Sequence, residues 1–360
     1  MDKFATSQAD IHERRENLFV SLGFLDRNTD KAFACLQEVL STPNFDEPSN
    51  IADLVKMESI SKANNIGNKG LQYARSYAES GLRASARSFE SLRSDVFFCQ
   101  YAAALLRTSD PLPILRDAIV RMTEIASFVF REENLEFCVH GSRKKFPLIF
   151  AKLELLLASM KSENSRFLEK HPELLRVPGE FEAPTYYKNF FKTPLTVNNC
   201  TESLLAAPSS NIDDYAALLV LGDLLTFSYL LPSVREKGGA YGAGASAGES
   251  GTFTFTSFRD PKLEATYENF EKAAGQAADK DFSEQQLREA KMLTFQKLDR
   301  VLEPSLKGLL QFSRGYSDEH RMKLRLRALD LTREDVAAVA EKYLIKAIEK
   351  GQTSRVVFGS

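Results

Sequence analysis

Two periodicities divide the first part of the chain into strand-like and helix-like segments. In "LFVSLGFLD", Leu18 to Asp26, apolar residues recur at every second position, which is typical of a half-buried strand. "DKAFACLQEVL" has apolar residues at helical spacing, and helical patterns continue to about Phe130, with breaks near Gly67 and Gly70 and at "TSDPLP". "NLEFCVHG" predicts a second strand, and "FPLIFAKLELLLASM" predicts a further helix.

A second patterned region follows a stretch with several prolines and little periodicity, which predicts a linker over residues 162–190. A strand is predicted near "PLTVNNCTESLLAA", a helix over "DDYAALLVLGDLLTFSYLL", and a hairpin over "AYGAGASAGESGTFTFTSFRD". Helices are predicted at about 262–275, 284–301, 304–322 and 333–349. Two of them carry capping pairs, Ser283 with Gln286 and Thr332 with Asp335. A short strand, "SRVVFGS", closes this region.

The two patterned regions are similar to each other. "FLDRNTDKAFACLQEVL" aligns with "FRDPKLEATYENFEKAA" at a single offset, and the matched pairs are Phe24 with Phe258, Asp26 with Asp260, Phe33 with Tyr267, and Leu36 with Phe270. Such self-similarity indicates an internal repeat of domain size. The second copy has a strand, a helix and a glycine turn before its Phe-rich strand, whereas the first copy begins almost at that strand. We therefore expect the first domain to be incomplete at its N-terminus.

Composition narrows the possible functions. The 360 residues are enough for two domains, and a formal net charge of −2 gives no bulk field that would attract nucleic acid or anionic lipid. No apolar run is expected to cross a membrane, because "YAALLVLGDLL" is interrupted by Gly222 and Asp223. The N-terminal segment lacks the apolar core of a signal peptide. The cysteines show no CxxC spacing, which argues against a disulfide framework; they are Cys35, Cys99, Cys138 and Cys200.

The four histidines give weak metal signals. "HERRE", from His12, and "YSDEH", ending at His320, each fall one residue short of the zinc motifs HExxH and HxxEH, so solvated helix faces are the better interpretation. Cys138 and His140 share one face of a predicted strand but have no second pair nearby, which favours a half-buried strand face. His171 adds nothing specific. The sequence thus predicts no metal site in this chain.

The glycine-rich stretch "PSVREKGGAYGAG" begins at Pro232. It has no GxxxxGK[ST] phosphate loop, and a dinucleotide GxGxxG turn would need a strand before it and a helix after it, the reverse of the order here. Gly238 and Gly239 are well suited to end a helix, and Arg235 suits the last turn of that helix. Tyr241 would start the next strand. From spacing alone, a helix stop is the favoured interpretation.

This stretch, together with "GTFTFTSFRDP", resembles the C-terminal half of M16 metallopeptidases of the presequence protease type (subfamily C), a pitrilysin-like group that includes falcilysin. "LFVSLGFLDRN", "FDEPSNIADLVKM" and residues 223–317 extend the resemblance over most of the chain. It implies an α+β fold of repeated α/β domains, each a mainly antiparallel sheet packed with several helices. Residues 1–161 would be the third such domain, residues 162–190 a linker, and residues 191–360 the fourth domain.

The resemblance also implies a function. Enzymes of this type close two halves around an unfolded peptide; the N-terminal half holds zinc on HxxEH and a distant Glu, and the C-terminal half supplies an Arg and a Tyr. These map onto Arg235, which would bind a substrate carbonyl, and Tyr241, which would stabilise the tetrahedral intermediate, while Gly238 and Gly239 would leave room for the peptide. Zinc would be a cofactor of the full-length enzyme and not of this chain, which lacks HxxEH and is expected to be inactive alone.

The implied partners are the zinc-bearing N-terminal half and unfolded peptides, with no nucleic acid and no membrane span. A mitochondrion or another organelle is the implied location, and the cytosol stays open. Two alternatives to the peptidase also stay open: a non-catalytic structural or partner subunit, and a bare peptide-binding module. Pro232 lies inside the apparent helix before Arg235, and we expect either a kink or a new helix start there.

Overall fold

The computed structural model describes residues 17–41, 45, 47–93, 95–108, 112–160, 181–193 and 197–359. His12, His171 and most of the predicted linker lie outside the described residues.

Most of the described residues up to 160 lie in α-helices, in the segments where the sequence predicts helices. These helices are α1 (Thr29–Ser41), α2 (Pro48–Asn68), α3 (Gly70–Ser80), α4 (Ala84–Arg93), α5 (Asp95–Arg107), α6 (Leu112–Val129) and α7 (Phe146–Ser159). Short 3₁₀ turns occur at Asp26–Asn28, Glu132–Asn134 and Arg143–Lys145. The predicted break near Gly70 is confirmed, because α2 ends at Asn68 and α3 begins two residues later.

The two strands predicted in this region, at residues 18–26 and 134–141, are wrong. Both segments are irregular apart from short 3₁₀ turns, and the described residues 17–160 contain no strand. The alternating side chains of the first segment are exposed, with Leu18 at 61% and Val20 at 48%. A strand needs a hydrogen-bonding neighbour, and alternation in the sequence cannot supply one.

A five-stranded sheet forms the centre of the second region. Its strands are β1 (Lys188–Lys192), β2 (Asn198–Leu205), β3 (Gly242–Gly248), β4 (Thr252–Asp260) and β5 (Ser354–Gly359), in the order β1-β5-β2-β4-β3. The β1–β5 pair is parallel and the other pairs are antiparallel. The predicted α+β class with a mainly antiparallel sheet is confirmed, as are the hairpin and the closing strand. β1 begins within the last residues of the predicted linker.

The helices of this region follow the sequence pattern with one exception. They are α8 (Ile212–Leu225), which continues as a π-helical segment (Thr226–Glu236), then α9 (Glu264–Ala278), α10 (Glu284–Leu298), α11 (Leu309–Arg314), α12 (Asp318–Asp330) and α13 (Arg333–Val339). Beyond α13 the chain stays helical through a π-helical segment (Ala340–Ile345) to Lys346–Glu349. Both predicted capping boxes form. The single helix expected over 304–322 is wrong, because Gly308 and Gly315 adopt positive φ and separate three shorter pieces.

One face of the sheet packs on α8 and α9. Leu218 and Leu221 of α8, Phe253 and Phe255 of β4, and Phe270 of α9 are fully buried there. The helix over Ile212–Glu236 is long and apolar enough to cross a membrane by composition, which the sequence prediction did not anticipate. However, 56% of its most apolar window is buried inside the protein. Its apolar composition is therefore explained by its place in the core.

The opposite face of the sheet is covered by α3. Ala74 and Ala78 are buried against Val356 and Phe358 of β5, and tyrosines of α3 surround them. The Tyr77 ring lies 4.8 Å from the ring of Tyr187 and 4.9 Å from the ring of Phe191, measured between centroids. A helix from the first region therefore completes the sheet of the second.

The aligned part of the internal repeat is a strand followed by a helix, and only the helix is seen in both copies among the described residues. The helix forms in both copies, as α1 and α9, and the matched residues Phe33 and Tyr267 are both buried. The strand forms only in the second copy, as β4, among the residues that the structure describes.

Candidate functional site

Arg235 lies in the last turn of the π-helical segment, at the surface. In an α-helix a proline ring clashes with the carbonyl four residues earlier, and a π-helical register changes which groups meet. The amide of Lys237 donates to the carbonyl of Pro232 at 3.2 Å, five residues back. The helix therefore runs on through Pro232 to Glu236. The expected restart at Pro232 is wrong, because the wider register accommodates the ring without interrupting the helix.

Gly238 and Gly239 follow this helix, and glycine is needed at each position for a different physical reason. Gly239 has φ +86°, a left-handed conformation, and its amide donates to the carbonyl of Arg235 at 3.0 Å. A Cβ on Gly238 would lie 2.3 Å from the carbonyl oxygen of Val234, closer than any side chain tolerates. The amide of Ala240 then donates to that same carbonyl at 3.2 Å. The predicted helix stop is confirmed, and it is a tightly hydrogen-bonded one.

Tyr241 is the next residue after this turn and is anchored on β4. Its amide donates to the carbonyl of Phe258 at 3.0 Å. Its ring meets that of Phe258 edge-to-face, with centroids 5.8 Å apart, and the guanidinium of Arg259 lies 5.9 Å from its ring centroid. The side chain is nevertheless 69% exposed. Its backbone and ring are thus positioned, and its hydroxyl has no hydrogen-bond partner in the part of the chain that the structure describes.

Arg235 is also exposed, and its guanidinium forms no hydrogen bond or ion pair with another described residue. The turn between Arg235 and Tyr241 is fixed by the hydrogen bonds of Gly239 and Ala240 and by the pairing of Tyr241 with β4. The structure therefore brings all four sequence-predicted residues, Arg235, Gly238, Gly239 and Tyr241, into one turn. It leaves two strong donors of that turn available to a ligand.

The site is open and not enclosed. A cavity of about 360 Å³ lies between the π-helical segment and α9, but neither Arg235 nor Tyr241 lines it; the lining residues are Tyr229, Ser233, Asn269, Lys272, Ala273 and Gln276. The hydroxyl of Tyr229 donates to the carbonyl of Asp281, and burial raises the pKa of this tyrosine to about 12. That hydroxyl therefore links the π-helical segment to the connection that follows α9. Arg235 and Tyr241 therefore lie on an open surface that another polypeptide or a ligand could contact.

The described residues do not fit a catalytic zinc ion. No group of three or more His, Cys, Asp or Glu side chains among them could hold a metal. Cys138 is exposed in an irregular segment, so the strand face expected for Cys138 and His140 is wrong. His320 stacks on the ring of Tyr316 at 5.1 Å, and Glu319 pairs with Lys323 at 2.7 Å.

Arg259 is a residue that sequence reasoning missed as part of this site. In the sequence it stands out only as part of the family-like pattern "F-R-D-P". Its backbone has φ +50°, which is rare outside glycine, and its guanidinium lies 5.2 Å from the ring centroid of Phe258. Nothing in the sequence indicates an arginine with a left-handed backbone, because hydrophobic patterning reports burial and not the sign of φ.

Two family models match the chain. The model described as PreP C-terminal domain matches residues 188–360, and the model described as associated with M16 peptidases of subfamily C matches residues 2–94. Together they cover most of the chain and include the Arg235–Tyr241 turn.

Curated relatives agree with these models. The mitochondrial presequence protease of Danio rerio is 28% identical over 354 residues, covering 94% of this chain and 34% of the relative. That of Gibberella zeae is 30% identical over 358 residues, covering 98% of this chain and 34% of the relative. This chain thus spans about a third of the length of the curated relatives it matches. A solved protease structure from Helicobacter pylori shares the fold, with a TM-score of 0.61 at 15% identity, covering 93% of this chain and 77% of that one.

Proposed function

Because this chain belongs to the M16 metallopeptidases of the presequence protease group, we propose that it is the substrate-binding C-terminal part of a zinc-dependent oligopeptidase. Its substrates would be short unfolded peptides such as presequences. The names of the relatives support this substrate class and a mitochondrial location.

The observation that carries the proposal is the pair of unoccupied donors at the Arg235–Tyr241 turn. Peptide hydrolysis passes through a tetrahedral intermediate whose oxygen carries negative charge. The Tyr241 hydroxyl would donate to that oxygen, and the guanidinium of Arg235 would donate to a substrate backbone carbonyl nearby. Both residues stand on a hydrogen-bonded turn, so little reorganisation would be needed when charge develops.

The metal would belong to the part of the enzyme outside this chain. The relatives are about three times as long as the matched region, and the described residues contain no group of three or more side chains that could hold zinc. A zinc-bearing half would close over the open surface at Arg235 and Tyr241, exclude water and complete the site. This division makes the chain inactive on its own.

A non-catalytic partner subunit is the second candidate. The described residues contain no group of three or more side chains that could hold a metal, which is compatible with a scaffold, since a scaffold needs none. The free Arg235 guanidinium and Tyr241 hydroxyl count against it, because a scaffold would have no use for exposed, positioned donors.

Cleavage of a fluorogenic unfolded peptide tests the proposal. We expect no cleavage by the chain alone, and chelator-sensitive cleavage when it is combined with the zinc-bearing half of a presequence protease. In that combination Arg235→Ala should raise KM, and Arg288→Ala, an exposed arginine on α10, serves as the control. Chelator-sensitive cleavage by the chain alone would overturn the division of the site. Unchanged turnover and KM in Arg235→Ala would favour the partner subunit, and peptide binding without cleavage in the combination would favour a bare peptide-binding module.

A further inference from the structure

Arg259 occupies a backbone position at which glycine is the usual residue. Asn198 of β2 pairs with Asp260 of β4, whereas Cys200 pairs with Ser257, so β4 contains one extra residue between these pairs. Such a bulge commonly places one residue in the left-handed region, and glycine adopts that region without steric cost. Here φ is +50° at Arg259. Arg259 therefore has a side chain at a bulge position whose backbone conformation favours glycine.

The surroundings hold this conformation in place. The amide of Arg259 donates to Oδ1 of Asn199 at 3.4 Å, and its carbonyl accepts a second, longer contact of 3.4 Å from the amide of Tyr241. The next residue, Asp260, is fully buried and accepts from Thr266 at 2.7 Å. These interactions use the backbone of Arg259 or the side chain of Asp260. None of them needs a guanidinium at this position.

The guanidinium of Arg259 lies beside two aromatic rings, those of Phe258 and Tyr241. It lies 5.9 Å from the ring of Tyr241 and 5.2 Å from the ring of Phe258, and it has no acidic partner among the described side chains. Phe258 meets Tyr241 edge-to-face, so two consecutive residues of the bulge contact one ring. Guanidinium groups stack well on aromatic faces, and an ammonium does so less specifically.

We propose that Arg259 is a positioning residue, which uses the strained bulge to hold the Tyr241 ring against Phe258 so that the hydroxyl is preorganised for the reaction. An exposed tyrosine on a surface turn would otherwise populate several rotamers, and preorganisation is where such donors gain their effect. The catalytic part of this inference rests on the proposed function; the positioning itself does not.

The test uses Arg259→Gly, which removes the side chain and also relieves the backbone strain. Its matched control is Lys280→Gly, because Lys280 is the other described non-glycine residue with positive φ, at +59°, and contacts Glu334. Both substitutions should leave the thermal midpoint unchanged or raise it. Only Arg259→Gly should lower kcat, by about tenfold and with little change in KM, and Arg259→Lys should recover part of the loss.

A second readout needs no activity. With 3-fluorotyrosine placed at position 241 of the whole chain, the ¹⁹F resonance should sit away from the unfolded-chain value. Arg259→Gly should move it toward that value, while Lys280→Gly leaves it in place. If the resonance moves but the wild-type assembly cleaves nothing, the positioning stands and the proposed function fails. An unmoved resonance, or an unchanged kcat in an active assembly, would overturn the inference.

Discussion

Gly238 and Gly239 stand side by side, yet only Gly238 is required by steric contact. A Cβ at Gly238 would meet the backbone of Val234, which cannot move aside as a side chain could. We expect Gly238→Ala to lower the free energy of unfolding by about 1–3 kcal/mol. Gly275→Ala is the control, since nothing lies within 4 Å of a Cβ at that helical position. Equal urea midpoints for the two variants would show that the turn is not as tight as described.

Tyr241 should act through its hydroxyl alone. Tyr241→Phe keeps the ring between Phe258 and Arg259 and removes only the oxygen. In the assembled enzyme we expect kcat to fall by about 10²–10³, the usual loss for one oxyanion donor, with KM little changed. Tyr101→Phe, at an exposed tyrosine on α5, is the control. A rise in KM with kcat unchanged would assign Tyr241 to ground-state binding instead.

His320 should make stability depend on pH. Burial lowers its pKa below 6.5, the nearby Lys323 lowers it further, and Glu249 opposes both. The folded chain then binds fewer protons than the unfolded chain just below pH 6.5, so stability is lost as the pH falls through that range.

His320→Phe keeps a ring stacked on Tyr316 and removes the titration. We expect its urea midpoint to fall less than that of the wild type between about pH 7.5 and pH 5.5. His140→Gln, a substitution at an exposed histidine, is the control. Parallel curves for His320→Phe and the wild type would contradict the assignment.

One hydroxyl, that of Thr226 directly after α8, connects α8 to the edge strand β3. Thr226 Oγ1 donates to the carbonyl of Gly222 at 2.8 Å and accepts from the amide of Ala245 at 2.8 Å. That amide lies on the side of β3 away from β4, so Thr226 satisfies a group that a sheet edge would otherwise expose.

Thr226→Val keeps the shape of the side chain and leaves the Ala245 amide without its partner. We expect a loss of about 1–3 kcal/mol and faster hydrogen exchange at that amide. Thr108→Val removes a hydroxyl that bonds only within its own helix end, and it should change neither quantity much. Exchange at Ala245 as slow as in the wild type would mean that another group protects the edge.

The sequence predicts elements well where the pattern and the burial agree. The helix α8, the hairpin of β3 and β4 and both capping boxes are all confirmed, because each is specified by residues within the element itself. The strands expected at 18–26 and 134–141 fail, because a strand also depends on a neighbour that local alternation cannot reveal. The candidate turn follows the same rule. Its glycines were predictable, whereas the left-handed Arg259 depends on a bulge against β2.

The two regions of the chain are coupled through α3. This helix follows α2 in sequence, yet it covers the face of the sheet opposite α8. The turn that carries Arg235 and Tyr241 therefore belongs to a sheet whose second face is built by the first region. Loosening α3 should consequently affect the whole molecule and not one helix.

Tyr77→Ala tests this coupling. The variant loses ring contacts with Tyr187 and Phe191 and the hydrogen bond that the hydroxyl accepts from Nδ2 of Asn189 at 3.1 Å. We expect a loss of about 3 kcal/mol and protease cleavage between α3 and β1 under conditions in which the wild type is intact. Tyr77→Phe keeps the rings and should lose only about 1 kcal/mol. Tyr101→Ala, at an exposed tyrosine, should resist cleavage like the wild type. If Tyr77→Ala also resisted cleavage, α3 would be a passive cover and the regions would be stable independently.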